Sequence, residues 1–482
     1  MKQILVVFLL SVTLAINAQP FRYIVAADGS GTHTTVQSAI DACPDNERSI
    51  IFVKNGIYFG QTSIGTKTVA SSKLISLIGE NRDKVILTYD KSLPMVTKFE
   101  EATTFQAYAK DFYVENITFA NSAGNTGQAL ALYTAGDRQT FKNCRILGYQ
   151  DTYRSKKGTR GYFKDCWIEG ATDFIYAGGT IFFDDCTINC VKGGGYIVAP
   201  EDAYSTIPKA STVCQKFLRV GFIFRNCNIT ANSDVAANTY YLGRPWNVTA
   251  GAFYLNCKLG KHIKAEGWQT MGGNETTACF AEYNSMDANG LPIDITGRVT
   301  WSFQLPQLDV ENLLNPTYIY ALSYTTSYDP ETFCSSPLSP TNVKMIGNTI
   351  SWDAVSGVAG YLVYKNSKFL TAVTETSFND NSGENGSYSV VSLATSGVLS
   401  SPSTVTAIES IQHSKVAFKI SKDKIYFSEP VTYAIYSLTG TKVDESKSCV
   451  NSISISSELK GIYLLKTEDE YSQEQIIKIN LP

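Results

Sequence analysis

Short apolar blocks punctuated by polar corners recur along most of the chain. KLISLIGE (73–80), VILTYD (85–90) and FYVENITFAN (112–121) are the first clear ones. Later blocks share one form: an aromatic, one or two residues, Asn or Asp, then Cys. Their cysteines are Cys144, Cys166, Cys186, Cys227 and Cys257. Cys144 to Cys166 is 22 residues and Cys166 to Cys186 is 20. The 41 residues from Cys186 to Cys227 read as about two turns. A period near 20–22 with one strand block per turn predicts a parallel β-solenoid, in which each turn packs only on its neighbours. The Leu/Asn signature of a leucine-rich repeat is absent. Thr35 to Ala42 carries apolar residues at helical spacing and stops near Pro44, which predicts a short helix covering the open end of the stack. Excursions such as 201–219 are expected to project as loops and wall a cleft.

The character changes after residue 322. Ser323–Pro340 is rich in Ser, Thr, Tyr and Pro and reads as a linker. Residues 341–408 alternate at sandwich spacing, with Trp352 and Tyr361 as expected core aromatics. Residues 411–482 form a last, small β domain. The whole is therefore expected to be all-β, a solenoid domain over 19–322 followed by a β-sandwich and a small C-terminal β domain.

Composition narrows the function. Residues 1–18 have Lys2, an apolar run and small residues ending at Ala18, so they read as a secretory signal peptide. The run is too short to span a bilayer, and no later segment suggests a membrane span. With 41 basic and 44 acidic side chains, the balance offers no broad attraction to nucleic acid. Eleven cysteines in an exported chain would ordinarily suggest disulfides. Their recurrence in phase argues instead for one inward-facing position where a free thiol packs as a small apolar group. Cys186 and Cys190 lack a second pair to complete a zinc site, so no metal is expected.

The chemistry centres on two echoing blocks, FKNCRILGYQD and FKDCWIEGATD. Each reaches an aspartate seven residues past its Cys, so Asp151 and Asp173 are 22 residues apart in the same phase. On neighbouring coils they would lie about 4.8 Å apart. Two carboxylates that close do not both ionise readily, and one is pushed to hold a proton. The three histidines, His33, His262 and His413, are remote from these blocks, and there is no GxSxG or HExxH. Serine and zinc hydrolases are disfavoured on that ground. Gln128 and Gln150 offer uncharged amides to a developing oxyanion. Arg244, fixed by Pro245, could keep one carboxylate ionised. Trp246 and, more weakly, Trp268 could stack on a sugar ring.

These residues resemble the pectin methylesterases. The resemblance spans roughly Phe21 to Tyr320 and rests on VAADGSGTHTTVQSAIDACP, NGIYFGQ, LIGENRDKVIL, GQALALYTAGDR, LGYQDT, IEGATDFIY and LGRPW. It implies a right-handed parallel β-helix that hydrolyses galacturonate methyl esters in pectin, with no cofactor. By resemblance Asp173 is the nucleophile held by Arg244, Asp151 the general acid then base, and Gln128 and Gln150 the oxyanion donors. Trp246 is similarly implied to contact substrate, with Trp268, Tyr153 and Phe174 as further candidates beside it. Two departures adjoin the site. Tyr176-Ala177 stands where the family usually has Phe-Gly, and Tyr153-Arg154 stands where it usually has Leu-Tyr. Residues 341–408 resemble a fibronectin type III domain. Residues 411–482 resemble the C-terminal sorting domain read by the type IX secretion machinery, through IYSLTGTKV and LKGIYLLKTEDEYSQEQIIKI; a spacer or second carbohydrate-binding module is the other reading. The expectation is a monomeric bacterial protein, secreted or held at the cell surface. A polygalacturonase or pectate lyase would want clustered aspartates or a calcium site, and a β-helix adhesin would not need these groups to converge.

Overall fold

The computed structural model describes residues 19–66, 71–208, 217–382, 386–405, 407–409, 417–421, 424–456, 458–468 and 474–481. The expected signal peptide, 1–18, lies outside them. Among the described residues the N-terminal part winds through three parallel sheets of eleven, eight and seven strands. One coil shows the plan: Arg160–Lys164 in the first sheet, Trp167–Gly170 in the second, Thr172–Ala177 in the third, then Thr180–Asp184 back in the first. This is a parallel β-helix.

The corner between the first two sheets explains the repeat. Asn143, Asp165, Asp185, Asn226 and Asn256 all adopt left-handed backbone, with φ between 49° and 56°. Asn and Asp tolerate that region better than other side chains bearing a Cβ. The following cysteine then points inward. Cys144, Cys166, Cys186, Cys227 and Cys257 are buried free thiols. Each Sγ lies 3.3–3.7 Å from a carbonyl of the preceding coil, as Cys186 does from Phe163 O at 3.4 Å. Beside them runs a file of stacked rings, Phe141, Phe163, Phe183, Phe224 and Tyr254, with successive centroids 4.4–5.1 Å apart. Each ring so buried contributes about 2 kcal/mol.

The step from Cys186 to Cys227 is one coil, not two. Ile181–Asp184 pairs directly with Phe222–Arg225. The extra length is spent on an excursion whose ends, Ser205–Pro208 and Phe217–Val220, pair antiparallel. Val36–Ala42 forms the expected helix, N-capped by the Thr35 hydroxyl, which accepts from Ser38 N, and it buries Val36, Ala39 and Ile40 against the end of the core.

The stretch 323–340 is folded, not a free linker. Asp329 caps a short helix, Pro330–Phe333, and Tyr328 and Cys334 are buried. The Tyr328 hydroxyl meets Thr140 Oγ1 at 2.6 Å, and Arg160 donates to Thr326 O at 2.6 Å. Its Asp329 supplies the cap and its Ser, Thr and Tyr side chains supply hydrogen bonds, which is why a composition that suggests looseness packs instead. With helices Gln307–Leu313 and Pro316–Ala321 it covers the outer face of the first sheet. Burial on both faces accounts for near-continuous apolar strands such as TIFFD. Val358–Lys365, Lys368–Val373, Tyr388–Ala394 and Ser403–Thr404 form an antiparallel sheet in this same compact unit.

A second unit comprises Lys344–Thr349 and Ala407–Pro482. Its described strands include Lys424–Ser437, Lys442–Ser454, Gly461–Glu468 and Glu474–Leu481, paired antiparallel around Ile425, Ile435, Leu465 and Ile479.

Candidate active site

The two echoing blocks turn the chain from the second sheet into the third. Gly148 and Gly170 sit at equivalent places in them. At Gly170 an added Cβ would lie 2.2 Å from the Phe174 Cβ, so this tight corner needs glycine. Gln128, Gln150 and Thr172 then bridge in register on three successive coils. Asp151 N donates to Thr172 O at 3.1 Å, and Tyr153 pairs with Ile175. Asp151 and Asp173 therefore occupy equivalent positions on adjacent coils. Both are in left-handed backbone, with φ of 63° and 47°.

Their surroundings differ. Asp173 lies on a bulge, where the register with the next coil shifts between Thr172 and Ile175. Bulges re-aim side chains, and here the carboxylate meets Arg244. Arg244 Nε donates to Oδ1 at 3.0 Å and Nη2 to Oδ2 at 2.5 Å. The guanidinium also lies 3.9 Å from the centroid of the Tyr196 ring, which fixes its plane. This two-pronged pairing fixes the orientation of the carboxylate. Asp151 is 7% exposed and has no such partner among the described residues. Burial, reinforced by the charge of Asp173, pushes it up to about 7, against smaller opposing effects of Arg154, a Tyr176 hydrogen bond and Arg244. An arginine-paired carboxylate thus stands beside another that keeps its proton up to about pH 7.

A cleft of about 340 Å³ opens over the pair. Gln128, Gln150, Asp151, Asp173 and Trp246 all line it, and Arg244 stands behind Asp173. Trp246 is 38% exposed, with its ring 6.0 Å from that of Tyr176.

Three expected substrate contacts are absent from the cleft. Tyr153 is fully buried; the left-handed turn at Asp151 resets the alternation, so Tyr153 faces inward against Phe163 and its hydroxyl meets Thr134 Oγ1 at 2.8 Å. Phe174 is turned into the core with Ile175 by the bulge. Trp268 is 1% exposed, wedged between Tyr254 and Phe280. In their place the cleft gains Leu93, Phe99, Arg154, Tyr176 and Met271. Arg154 and Tyr176 were visible in sequence only as departures from the family pattern. Leu93, Phe99 and Met271 come from excursions with no motif. Among the described residues, no three His, Cys, Asp or Glu side chains gather as a metal-ligating set, and no helix is long and apolar enough to cross a membrane.

The pectinesterase family profile matches residues 22–319. Pectinesterase 31 of Arabidopsis thaliana is 31% identical over 310 residues, 61% of this chain and 91% of its own length. Probable pectinesterase/pectinesterase inhibitor 13 of the same plant is 34% identical over 289 residues, 58% of this chain and 44% of its own. This chain spans about half the length of several curated relatives that it matches. Among solved structures, a pectin methylesterase from carrot superposes with a TM-score of 0.55 at 27% identity, over 62% of this chain and 93% of its own.

Proposed function

The chain belongs to the pectinesterase family, and from that premise we propose that it hydrolyses the methyl esters of galacturonate residues in pectin. The observation that carries the reading is the unequal pair: an Arg244-bound Asp173 beside a buried Asp151 raised to about 7.

In this reading Asp173 attacks the ester carbonyl carbon. Gln128 and Gln150 donate to the oxygen as it gains charge. The C–OMe bond breaks, and the methoxy oxygen takes the proton of Asp151, leaving as methanol. An Asp173–galacturonoyl anhydride remains. Asp151, now ionised, takes a proton from water as that water attacks the anhydride carbonyl. Asp173 departs as a carboxylate, the sugar acid is released, and Asp151 again holds its proton. Trp246, exposed at the rim, offers a face for a sugar ring.

The experiment is to incubate the protein with highly methylated pectin and follow methanol and chain length together. Methanol with chains of unchanged length is expected. Shortened chains without methanol would point to a polygalacturonase or lyase, and no change at all to an adhesin.

The reading extends to the rest of the chain: a right-handed coil sense, a fibronectin type III-like module over 341–408 and a sorting domain over 411–482 that hands an exported protein to type IX secretion machinery. The antiparallel sheets within both stretches are compatible with this. Deleting 411–482 should leave the protein trapped or degraded before release in its host; normal export of the truncated chain would sink the sorting role.

A further inference from the structure

A second cavity lies at the last strand of the second sheet and shares no lining residue with the cleft over the carboxylates. It forms where that sheet stops. Lys258–Leu259 is the final strand, pairing with Asn228–Ala231. Residues from 232–238, 260–265 and 287–298 wall the space beyond this edge. Its volume is about 1070 Å³, at the upper end of small-molecule sites.

The floor is apolar, with Ile229, Leu259 and Ile263 buried in it. Lys258, Lys261 and Lys264 line the same space, and among the described residues none of the three meets a carboxylate; Lys264 Nζ lies 3.3 Å from the Tyr241 hydroxyl. Arg298, the fourth cation, is committed to Glu282 through Nε at 2.6 Å and Nη2 at 3.1 Å. The two lining acids turn an oxygen back into their own loops. Asp287 Oδ1 accepts from Asn289 N and Leu291 N, and Asp294 Oδ1 accepts from Thr296 N and Oγ1. His262 also lines the cavity. It is 3% exposed, and its Nε2 has no hydrogen-bond partner among the described residues.

This mixture selects a ligand class. A uronate sugar carries apolar C–H faces, a belt of hydroxyls and a carboxylate. The aliphatic floor suits the first, the Asn238 and Asn289 amides and the imidazole the second, and the lysines the third. A neutral sugar would leave the lysines unused, and a small inorganic anion would leave the floor unused. We propose that this cavity is a second binding site, which holds a de-esterified segment of a pectin chain away from the reacting carboxylates and so tethers the protein to long chains. This rests on the esterase reading above. A second attachment to one polymer raises the effective concentration of the first without any change in the chemistry.

The test changes Lys258 and Lys261, which are exposed. Lys264 is left intact because it caps the Tyr241 ring, which stacks on Tyr196 behind Arg244. Calorimetric titration of the full chain with tetragalacturonate should show a class of site whose affinity falls as salt is raised. Lys258→Gln/Lys261→Gln should weaken that class about tenfold, and Trp246→Ala, at the rim of the cleft, should leave it intact. Lys84→Gln/Lys110→Gln, which removes the same charge from exposed positions elsewhere, should also leave it intact. Cellotetraose should not occupy it. In turnover, Lys258→Gln/Lys261→Gln should keep kcat and KM on a short, fully esterified oligomer within about twofold and raise KM on long, partly de-esterified pectin about threefold. A single class of site lost in Trp246→Ala, unchanged binding in the Lys258/Lys261 variant, an equal loss in the Lys84/Lys110 variant, equal binding of cellotetraose or an unchanged KM on long pectin would each overturn the proposal. Failure of the esterase reading would look different: no methanol from any pectin, with Lys258- and Lys261-dependent binding of tetragalacturonate retained.

Discussion

Two corners of each coil use the same backbone device to different ends. Between the first and second sheets, Asp165 and Asp185 sit at positive φ with their carboxylates towards solvent, near Lys164. Between the second and third, Asp151 and Asp173 sit at positive φ with their carboxylates sunk in a cleft. The residue type and the local conformation are shared. Burial, an arginine with two prongs and a second acid on the next coil are what separate a structural corner from a reactive one.

Removing the acid at each corner should break the comparison most sharply. Asp173→Ala is expected to reduce methanol release by at least ~10³-fold with folding retained. Asp165→Ala should keep full activity and lower stability by about 1 kcal/mol, since alanine fits left-handed backbone poorly. Melting curves and initial rates on both variants check this; substantial turnover by Asp173→Ala would mean the nucleophile is misassigned.

Asp151 should show that the reactive corner is costly to the fold. Its pKa is raised in the folded state, so the penalty is absent below the unfolded value near 4, grows as pH rises, and is complete above about 7. Asp151→Asn should therefore cut kcat about 10²-fold or more, yet be more stable than wild type at pH 8 by roughly 3–4 kcal/mol, a gain that vanishes at pH 3–4. Wild-type kcat/KM should correspondingly fall above pH 7 as the acid loses its proton. Denaturant unfolding at the two pH values and a pH–rate profile test both halves, and a stability difference independent of pH would contradict the buried-acid account.

The smallest effect concerns Ala177, at φ 74° where a side chain is strained. Ala177→Gly should raise the melting temperature by the equivalent of about 1 kcal/mol. A loss of stability would show that the Ala177 methyl, packed with Tyr176 and Ala199, outweighs the strain.

Much of this was legible in the chain itself. The Asn/Asp-Cys phase alone aligned Asp151 with Asp173, because left-handed corners demand those residues and the coil places its cysteine inside. The resemblance supplied Gln128, Gln150 and Arg244, which come together only through pairing between coils and a partner 71 residues downstream in sequence. Facing was the hard part. A strict two-residue alternation misplaces Tyr153 and Phe174, since a left-handed residue and a bulge each reset it. Trp268 follows a glycine turn that gives no hint of which way the indole swings. Phe99 and Met271 approach from excursions whose paths depend on the finished scaffold.

The 41-residue step between Cys186 and Cys227 has an evolutionary corollary. Because Ile181–Asp184 still pairs residue for residue with Phe222–Arg225, chain length and ladder alignment are uncoupled. Insertions there are invisible to the coils on either side. Such a scaffold can trial new surface loops one at a time while the reacting carboxylates keep their alignment, so diversification of the periphery need not disturb how it reacts.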